Sequence, residues 1–273
     1  MKVSVLGSGS RGNSVLVMAG TTRVLVDAGF SARSLEDRLG SLGVLPEEIQ
    51  AIVVTHDHGD HTRGVGVFAR RHGTPVFLTD PTREACGSLF RGKERLESYR
   101  AGFPFSVGSL TVHPFLTAHD ARDPVAVSLT DSESGFKLGI ATDLGRPTSQ
   151  VRHALSDCDI LILEANHDPG LLHQGPYPAS VRSRIASSHG HLSNEAAAQF
   201  AVELLHPRLA AVVLAHLSAE CNRPTLAEAV VGEALKGAGY RGVLEVAEQD
   251  APTRLMDVDR LRKRMGPDQL ALM

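Results

Sequence analysis

At 273 residues with 42% hydrophobic side chains, the chain is long enough for one large layered domain with a sizeable core. Its 28 Lys and Arg against 31 Asp and Glu leave a formal charge of -3, which excludes a global basic field drawing nucleic acid from a distance, so a phosphate-bearing partner must be held locally. No apolar run reaches the ~18 residues of a membrane span, no secretory leader is legible, and Cys86, Cys158 and Cys221 form no CxxC pair; a cytoplasmic protein with plain buried thiols and no membrane partner is expected.

Lys2 to Leu6, Val15 to Met18 and Val24 to Val26 are β-branched and apolar, broken by Gly and by Thr21-Thr22, and predict three consecutive strands. Between the first two, Gly7-Ser8-Gly9-Ser10-Arg11-Gly12 satisfies GxGxxG. A dinucleotide fingerprint has to open a helix, whereas this one opens the predicted strand Asn13 to Met18, so nicotinamide binding is not expected. The segment reads either as a tight turn that turns backbone N–H groups and Ser10, Asn13 or Ser14 toward a site, or as a structural hairpin.

Ala32 to Leu42 has helical spacing (Leu35, Leu39, Leu42) with Gly43 as its C-terminal cap. Ala51 to Val54 is a short apolar strand running straight into Thr55-His56. A helix over Gly64 to His72, a strand at Pro75 to Leu78 and a short helix from about Thr82 follow. Strands are then predicted at Leu110 to His113, Val125 to Leu129 and Lys137 to Ala141.

The second half alternates helix near Thr148 to Leu155, strand Ile160 to Leu163, helix Asn194 to Leu205, strand Ala210 to Leu214, helix Thr225 to Lys236 and strand Val243 to Val246. Strands with helices outside them predict a layered α/β architecture in a single domain over 1–273. The tail from Glu248 is expected to be peripheral, and its cluster Arg260, Arg262, Lys263 and Arg264 reads as a solvated helix face or as a phosphate-contacting patch.

Thr55-His56-Asp57-His58-Gly59-Asp60-His61 puts three imidazoles and two carboxylates within a few positions, directly after a buried strand. Imidazole nitrogens and carboxylate oxygens are the usual ligands of first-row metals, and a loop at a strand's end can turn alternate side chains toward one point. Without a cation, such crowding would cost desolvation and repulsion. Asp57 is expected to point away from the others.

This run matches the HxHxDH signature of the metallo-β-lactamase superfamily, which the chain resembles, and the order of its other motifs extends the resemblance. The resemblance implies a four-layer αββα sandwich. It also implies that Asp27, in Val26-Asp27-Ala28-Gly29, orients the metal loop without binding metal, and that His119, Asp143 and His216 complete the ligand set. His56, His58 and His119 would then bind one metal, Asp60, His61 and His216 the other, and Asp143 would bridge them. Two divalent ions about 3.5–4 Å apart, Zn or Mn with Fe also compatible, would polarise a phosphoryl oxygen and generate a bridging hydroxide.

Leu163-Glu164 lies just past a strand, and Gly190-His191 sits at a helix entrance. In the related transfer-RNA 3′-processing endonucleases a Glu and a His in this order assist proton donation, which implies His191 as general acid and Glu164 as its orienter, with Asp60 as a further catalytic group. The competing reading is phosphate positioning by His191 and loop anchoring by Glu164. Gly175-Pro176-Tyr177-Pro178, with Arg182 and Arg184, could grip a nucleotide end by stacking and bidentate phosphate contact, or form a Pro-braced turn and a solvated helix face.

The fold alone does not name a substrate. The absence of Cys near Asp143 disfavours zinc β-lactamases, and the 73 positions from Asp143 to His216 leave no room for the inserted domain of the ribonuclease J group. GSGSRGNS, VVTHDHGDH, TAHDARDPV, GPYP, GHLSNEAA and LAHLSAECN together resemble the YycJ/WalJ family over roughly residues 1–247. That resemblance implies a 5′-to-3′ exonuclease on double-stranded DNA with a link to mismatch repair and a 5′-phosphorylated DNA end as substrate. A small-molecule or cyclic phosphodiesterase, and a non-catalytic regulatory member of the fold, are the alternatives. Oligomeric state is open.

Overall fold

The structure is a computed structural model that describes residues 1–266; residues 267–273 of the expected tail lie outside the described residues. The chain opens with β1 (Lys2–Gly7), β2 (Ser14–Ala19), β3 (Thr22–Val26), α1 (Ala32–Ser41) and β4 (Ala51–Val53). It continues through α2 (Gly59–Thr62), α3 (Val65–His72), β5 (Val76–Leu78), α4 (Asp80–Ala85) and β6 (Leu96–Ser98). Next come β7 (Phe105–Val107), β8 (Leu110–Leu116), β9 (Val125–Asp131), β10 (Lys137–Ala141), α5 (Ser149–Leu155) and β11 (Ile160–Glu164). Then follow α6 (Pro169–Gln174), α7 (Ala179–Ile185), α8 (Asn194–Glu203), β12 (Ala211–Ala215), α9 (Pro224–Gly237), β13 (Val243–Val246), β14 (Met256–Asp257) and α10 (Val258–Met265).

The strands form two seven-stranded sheets, ordered β14-β1-β2-β3-β4-β5-β6 and β13-β12-β11-β10-β9-β8-β7. Both faces of each sheet are covered, which explains the nearly unbroken apolar runs. Along β11, Ile160 and Ile162 point into the core between the sheets, while Leu161 and Leu163 meet the outer helices. Along β3, Val24 and Val26 point inward and Leu25 outward. Outside the first sheet, Leu35 and Leu39 of α1 and Phe68 of α3 pack on it. Outside the second, Val151 of α5, Phe200 of α8 and Val231 of α9 do the same. The result is the four-layer αββα sandwich.

Two local details decide element ends. α1 stops because Gly43 takes φ 73°, letting its N–H reach Gly40 O and the Val44 N–H reach Leu39 O, both at 3.0 Å. β8 runs to Leu116, beyond the expected end at His113, although Pro114 lies inside it. β7 pairs only with Leu110–Val112, so past Val112 β8 is an edge strand and a missing proline N–H costs no ladder bond.

The parallel runs β3-β4-β5-β6 and β10-β11-β12-β13 deliver their strand ends to one rim of the sandwich. Open α/β sheets place ligands at such a rim. No helix among the described residues is long and apolar enough to cross a membrane, and all three cysteines are buried and free. Leu129, fully buried between the sheets, tests the shared core. Leu129→Ala is expected to lower unfolding free energy by about 2–5 kcal/mol in urea denaturation followed by circular dichroism, with an unchanged m value.

Candidate metal centre

Three strands end in the same unusual turn. Asp27 after β3, Asp143 after β10 and His216 after β12 have φ of 61°, 57° and 55°, the left-handed region that non-glycine side chains rarely adopt. Each such residue costs ~1–3 kcal/mol and persists only where its surroundings over-determine it. All three are buried at the rim, where His56 arrives from the end of β4, His119 from beyond β8 and Glu164 from the end of β11.

The ligand-type atoms of His56, His58, His119 and Asp143 lie within 4.8 Å of one another, and so do those of Asp60, His61 and His216. The histidine rings are held from behind. Thr55 Oγ1 donates to Asp27 Oδ2 at 2.8 Å and accepts from His56 Nδ1 at 3.0 Å. His61 Nδ1 donates to Asp27 Oδ2 at 2.7 Å, His119 Nδ1 to Gly190 O at 3.2 Å and His216 Nδ1 to Glu164 Oε1 at 2.8 Å. With the Nδ1 edges of these four committed, their Nε2 atoms remain for the cluster, the usual way that a protein fixes the tautomer of a metal-binding imidazole, whereas His58 turns its Nδ1 to within 3.3 Å of His119 Nε2.

Two buried atoms in this cluster, His56 Nε2 and Asp143 Oδ2, have no hydrogen-bond partner. A desolvated lone pair left unmatched costs free energy, and a cation between these atoms would satisfy both. The all-imidazole and carboxylate donor set suits a divalent first-row ion, so the residues fit a metal. Burial first, and then the neighbouring His61, push His56 well below the usual histidine value, leaving it neutral as a ligand must be. Burial opposes charging of His61 and His216, yet the Asp143 carboxylate beside both raises them.

Glu164 is fully buried, which by itself would raise its carboxyl; His191 and His216 instead hold it down at about 2. It accepts from Asp143 N, Leu144 N, Leu192 N, His191 Nδ1 and His216 Nδ1. The expected Glu164–His191 pair is therefore present at 2.8 Å, and the same Oε1 takes His216 as well.

The turn between β1 and β2 reaches the site through Asn13 and Ser10. Asn13 Nδ2 donates to Asp60 Oδ2 at 3.0 Å and lies 3.1 Å from His61 Nε2, while Asn13 N donates to Asp60 O at 2.7 Å. Ser14 Oγ donates to Asp27 O. Gly29 is needed here because a Cβ would lie 1.6 Å from Asp60 O. Asp57 does point away, accepting from Arg122 N at 2.8 Å.

A cavity of about 250 Å³ opens at the cluster, with Ser10, Asp60, Tyr177, Arg184, His191 and His216 on its wall. Arg184 Nη1 pairs with Asp120 Oδ2 at 3.2 Å. Arg182 is not on this wall; it lines a different cavity. Sequence reasoning passed over Thr55, Ser8 and Asn166. Ser8 Oγ accepts from His216 N and donates to Asn13 Oδ1, and Asn166 Nδ2 donates to His216 O. Only Thr55 gave a signal, by adjoining the histidine run.

A family model described as a beta-lactamase superfamily domain matches residues 22–216, from the start of β3 to the histidine after β12. The chain belongs to the beta-lactamase superfamily. Two curated relatives place it further within the superfamily. The protein named exodeoxyribonuclease WalJ of Streptococcus pneumoniae is 34% identical over 83% of this chain and 85% of its own. That named exodeoxyribonuclease YycJ of Bacillus anthracis is 31% identical over 93% of this chain and 98% of its own. The chain is thus a member of the WalJ/YycJ family and a metal-dependent hydrolase. The metallo-beta-lactamase fold protein YhfI of Bacillus subtilis shares the fold at a TM-score of 0.70 and 19% identity, over 92% of this chain and 98% of that one.

Asp27→Asn keeps a residue type that tolerates the left-handed turn but removes the charge behind His61. This superfamily member is expected to lose about 10- to 100-fold in affinity for Mn or Zn, measured by competition with a chelating dye, with far-ultraviolet circular dichroism unchanged.

Proposed function

We propose that the chain is a cytoplasmic 5′-to-3′ exonuclease acting on double-stranded DNA in repair, with two cations, Zn or Mn and with Fe compatible, held by the rim cluster. His56, His58 and His119 would hold one, Asp60, His61 and His216 the other, and Asp143 both. The observation that carries this reading is that one cavity is lined by His58, Asp60, Asp143 and His216 of this set together with His191, Arg184 and Tyr177. The names of the WalJ and YycJ relatives supply the substrate class. When bound, divalent cations there supply Lewis-acid polarisation of a phosphoryl oxygen and activation of water.

The remaining work falls to the chain itself. His191 gives its Nδ1 proton to Glu164 Oε1, so its Nε2 is the edge from which a proton can pass to the leaving 3′-oxygen. Burial works against a protonated His191, but the Glu164 carboxylate raises it above the usual histidine value, which suits an acid. The guanidinium of Arg184, two-thirds exposed beside Asp120, can exchange that carboxylate for a phosphate. Tyr177 offers a ring on which the terminal base can stack, and Ser10 adds a hydroxyl to the wall. Asp60 Oδ2 is fixed by Asn13, and although burial opposes it, His216 and His61 hold the carboxyl well below the usual carboxylate range, so it stays ionised as a hydrogen-bond acceptor for the attacking water. Asp27, behind Thr55 and His61, keeps the metal loop in register.

The test is digestion of a 5′-phosphorylated duplex with Mn, with EDTA and with Asp60→Ala. Nucleotide release from the 5′ end with Mn alone is expected, and none under the other two conditions. Cleavage of a small phosphodiester by the same preparation without any action on DNA would overturn the DNA assignment and keep the metal site. His191→Ala is expected to reduce kcat by about 100- to 10,000-fold with little change in KM, read from initial rates on the same duplex.

A further inference from the structure

His191 has a second neighbourhood. A second cavity of about 560 Å³ lies between α6, α7 and the start of α8, and among the described residues His191 is the one that lines both. Its size falls within the ~300–1,000 Å³ range of small-molecule sites. The two cavities have opposite chemistry. Asp60, Asp120 and Asp143 line the first, as a cation site requires, whereas among the described residues no acidic side chain lines the second.

Two polar groups in the second cavity are underused. Arg182, half-buried, donates Nη1 to Tyr177 O at 3.2 Å and is ion-paired to no carboxylate among the described residues. His167, 3% exposed, has an Nδ1 with no hydrogen-bond partner. Between them Pro169, Leu172 and Ala196 supply an apolar wall. A guanidinium without a counter-ion beside apolar surface is the arrangement that takes an anionic group attached to a flat, weakly polar body.

Residues two apart on a helix face different ways, and on α7 Arg184 lines the first cavity while Arg182 lines the second. The partition between them, His191, is the residue that would protonate the leaving oxygen, so the bond to be broken spans it. We propose that the second cavity is a nucleotide subsite, in which Arg182 grips the phosphate and the apolar wall receives the base of the nucleotide adjoining the bond under attack. This assignment rests on the nuclease reading above and names where its substrate's neighbouring residue goes.

The probe is deoxyadenosine 5′-monophosphate, titrated calorimetrically into EDTA-treated protein so that no cation can hold the phosphate. Wild type is expected to bind it, with Arg182→Ala and the cavity-filling Ala196→Leu each about tenfold or more weaker. In a parallel arm, the metal-loaded Ala196→Leu protein is expected to raise KM for the 5′-phosphorylated duplex more than it changes kcat. Equal binding by wild type and both variants, or binding only by metal-loaded protein, overturns the subsite. If wild type digests duplex while nucleotide binding ignores both variants, the subsite falls and the nuclease reading stands. If nucleotide binding follows both variants but wild type digests no DNA, the nuclease reading falls, and with it the subsite's place beside a DNA bond.

Discussion

One buried negative charge holds the rim together. Glu164 sits at the end of β11 with no exposure, and its two oxygens collect backbone N–H groups from the turn after β10 and from Leu192, together with the Nδ1 edges of His191 and His216. A carboxylate removed from water is stable only when its lone pairs are answered by donors, and here the donors come from three separate stretches of chain. Answering that charge fixes Asp143 and His216 relative to each other. The strained turns at both residues are held by the same hydrogen bonds, which is why strain and coordination-ready geometry coincide.

Much of this was legible in the residues, and the gaps have physical causes. The run from His56 to His61 speaks through composition alone, because such a density of imidazoles and carboxylates has few explanations without a cation. The sandwich follows from apolar runs that alternate between two buried faces. Ser8 and Asn166 were silent because an amide or hydroxyl is as common in an ordinary turn as behind a metal loop, and Asn13, legible only as one of three turn residues that could face a site, is brought to Asp60 by the folded chain. The separation of Arg182 from Arg184 was equally hidden, since it depends on α7 being helical and on which elements flank it. β8 ran past its expected end because the pairing of β7, not the presence of Pro114, sets where a proline is tolerated.

Protons and cations compete for the same atoms at the rim. The carboxylates that crowd His61 and His216 raise their proton affinity, so a cation arriving at their Nε2 atoms has to displace protons. The backing bonds from Asp27 and Glu164 survive that exchange, because they engage Nδ1, which keeps its hydrogen in either state. These backing bonds therefore do not have to break for a cation to replace the protons.

The turn that carries Asn13 is fastened from the far end of the sequence. Gln249 accepts from Arg11 N and donates to Gly12 O, Glu248 O accepts from Ser8 N, and Thr253 binds Ser4 and Val5 across separations of 249 and 248 residues. During vectorial synthesis these clasps cannot close until residue 253 has left the ribosome, whereas every ligand-type residue has emerged by residue 216. A nascent chain thus carries its whole set of histidines and carboxylates before the brace on Asp60 is in place. Bracing of Asp60 waits on residues 248 to 253, a temporal order written into contacts between stretches far apart in the sequence.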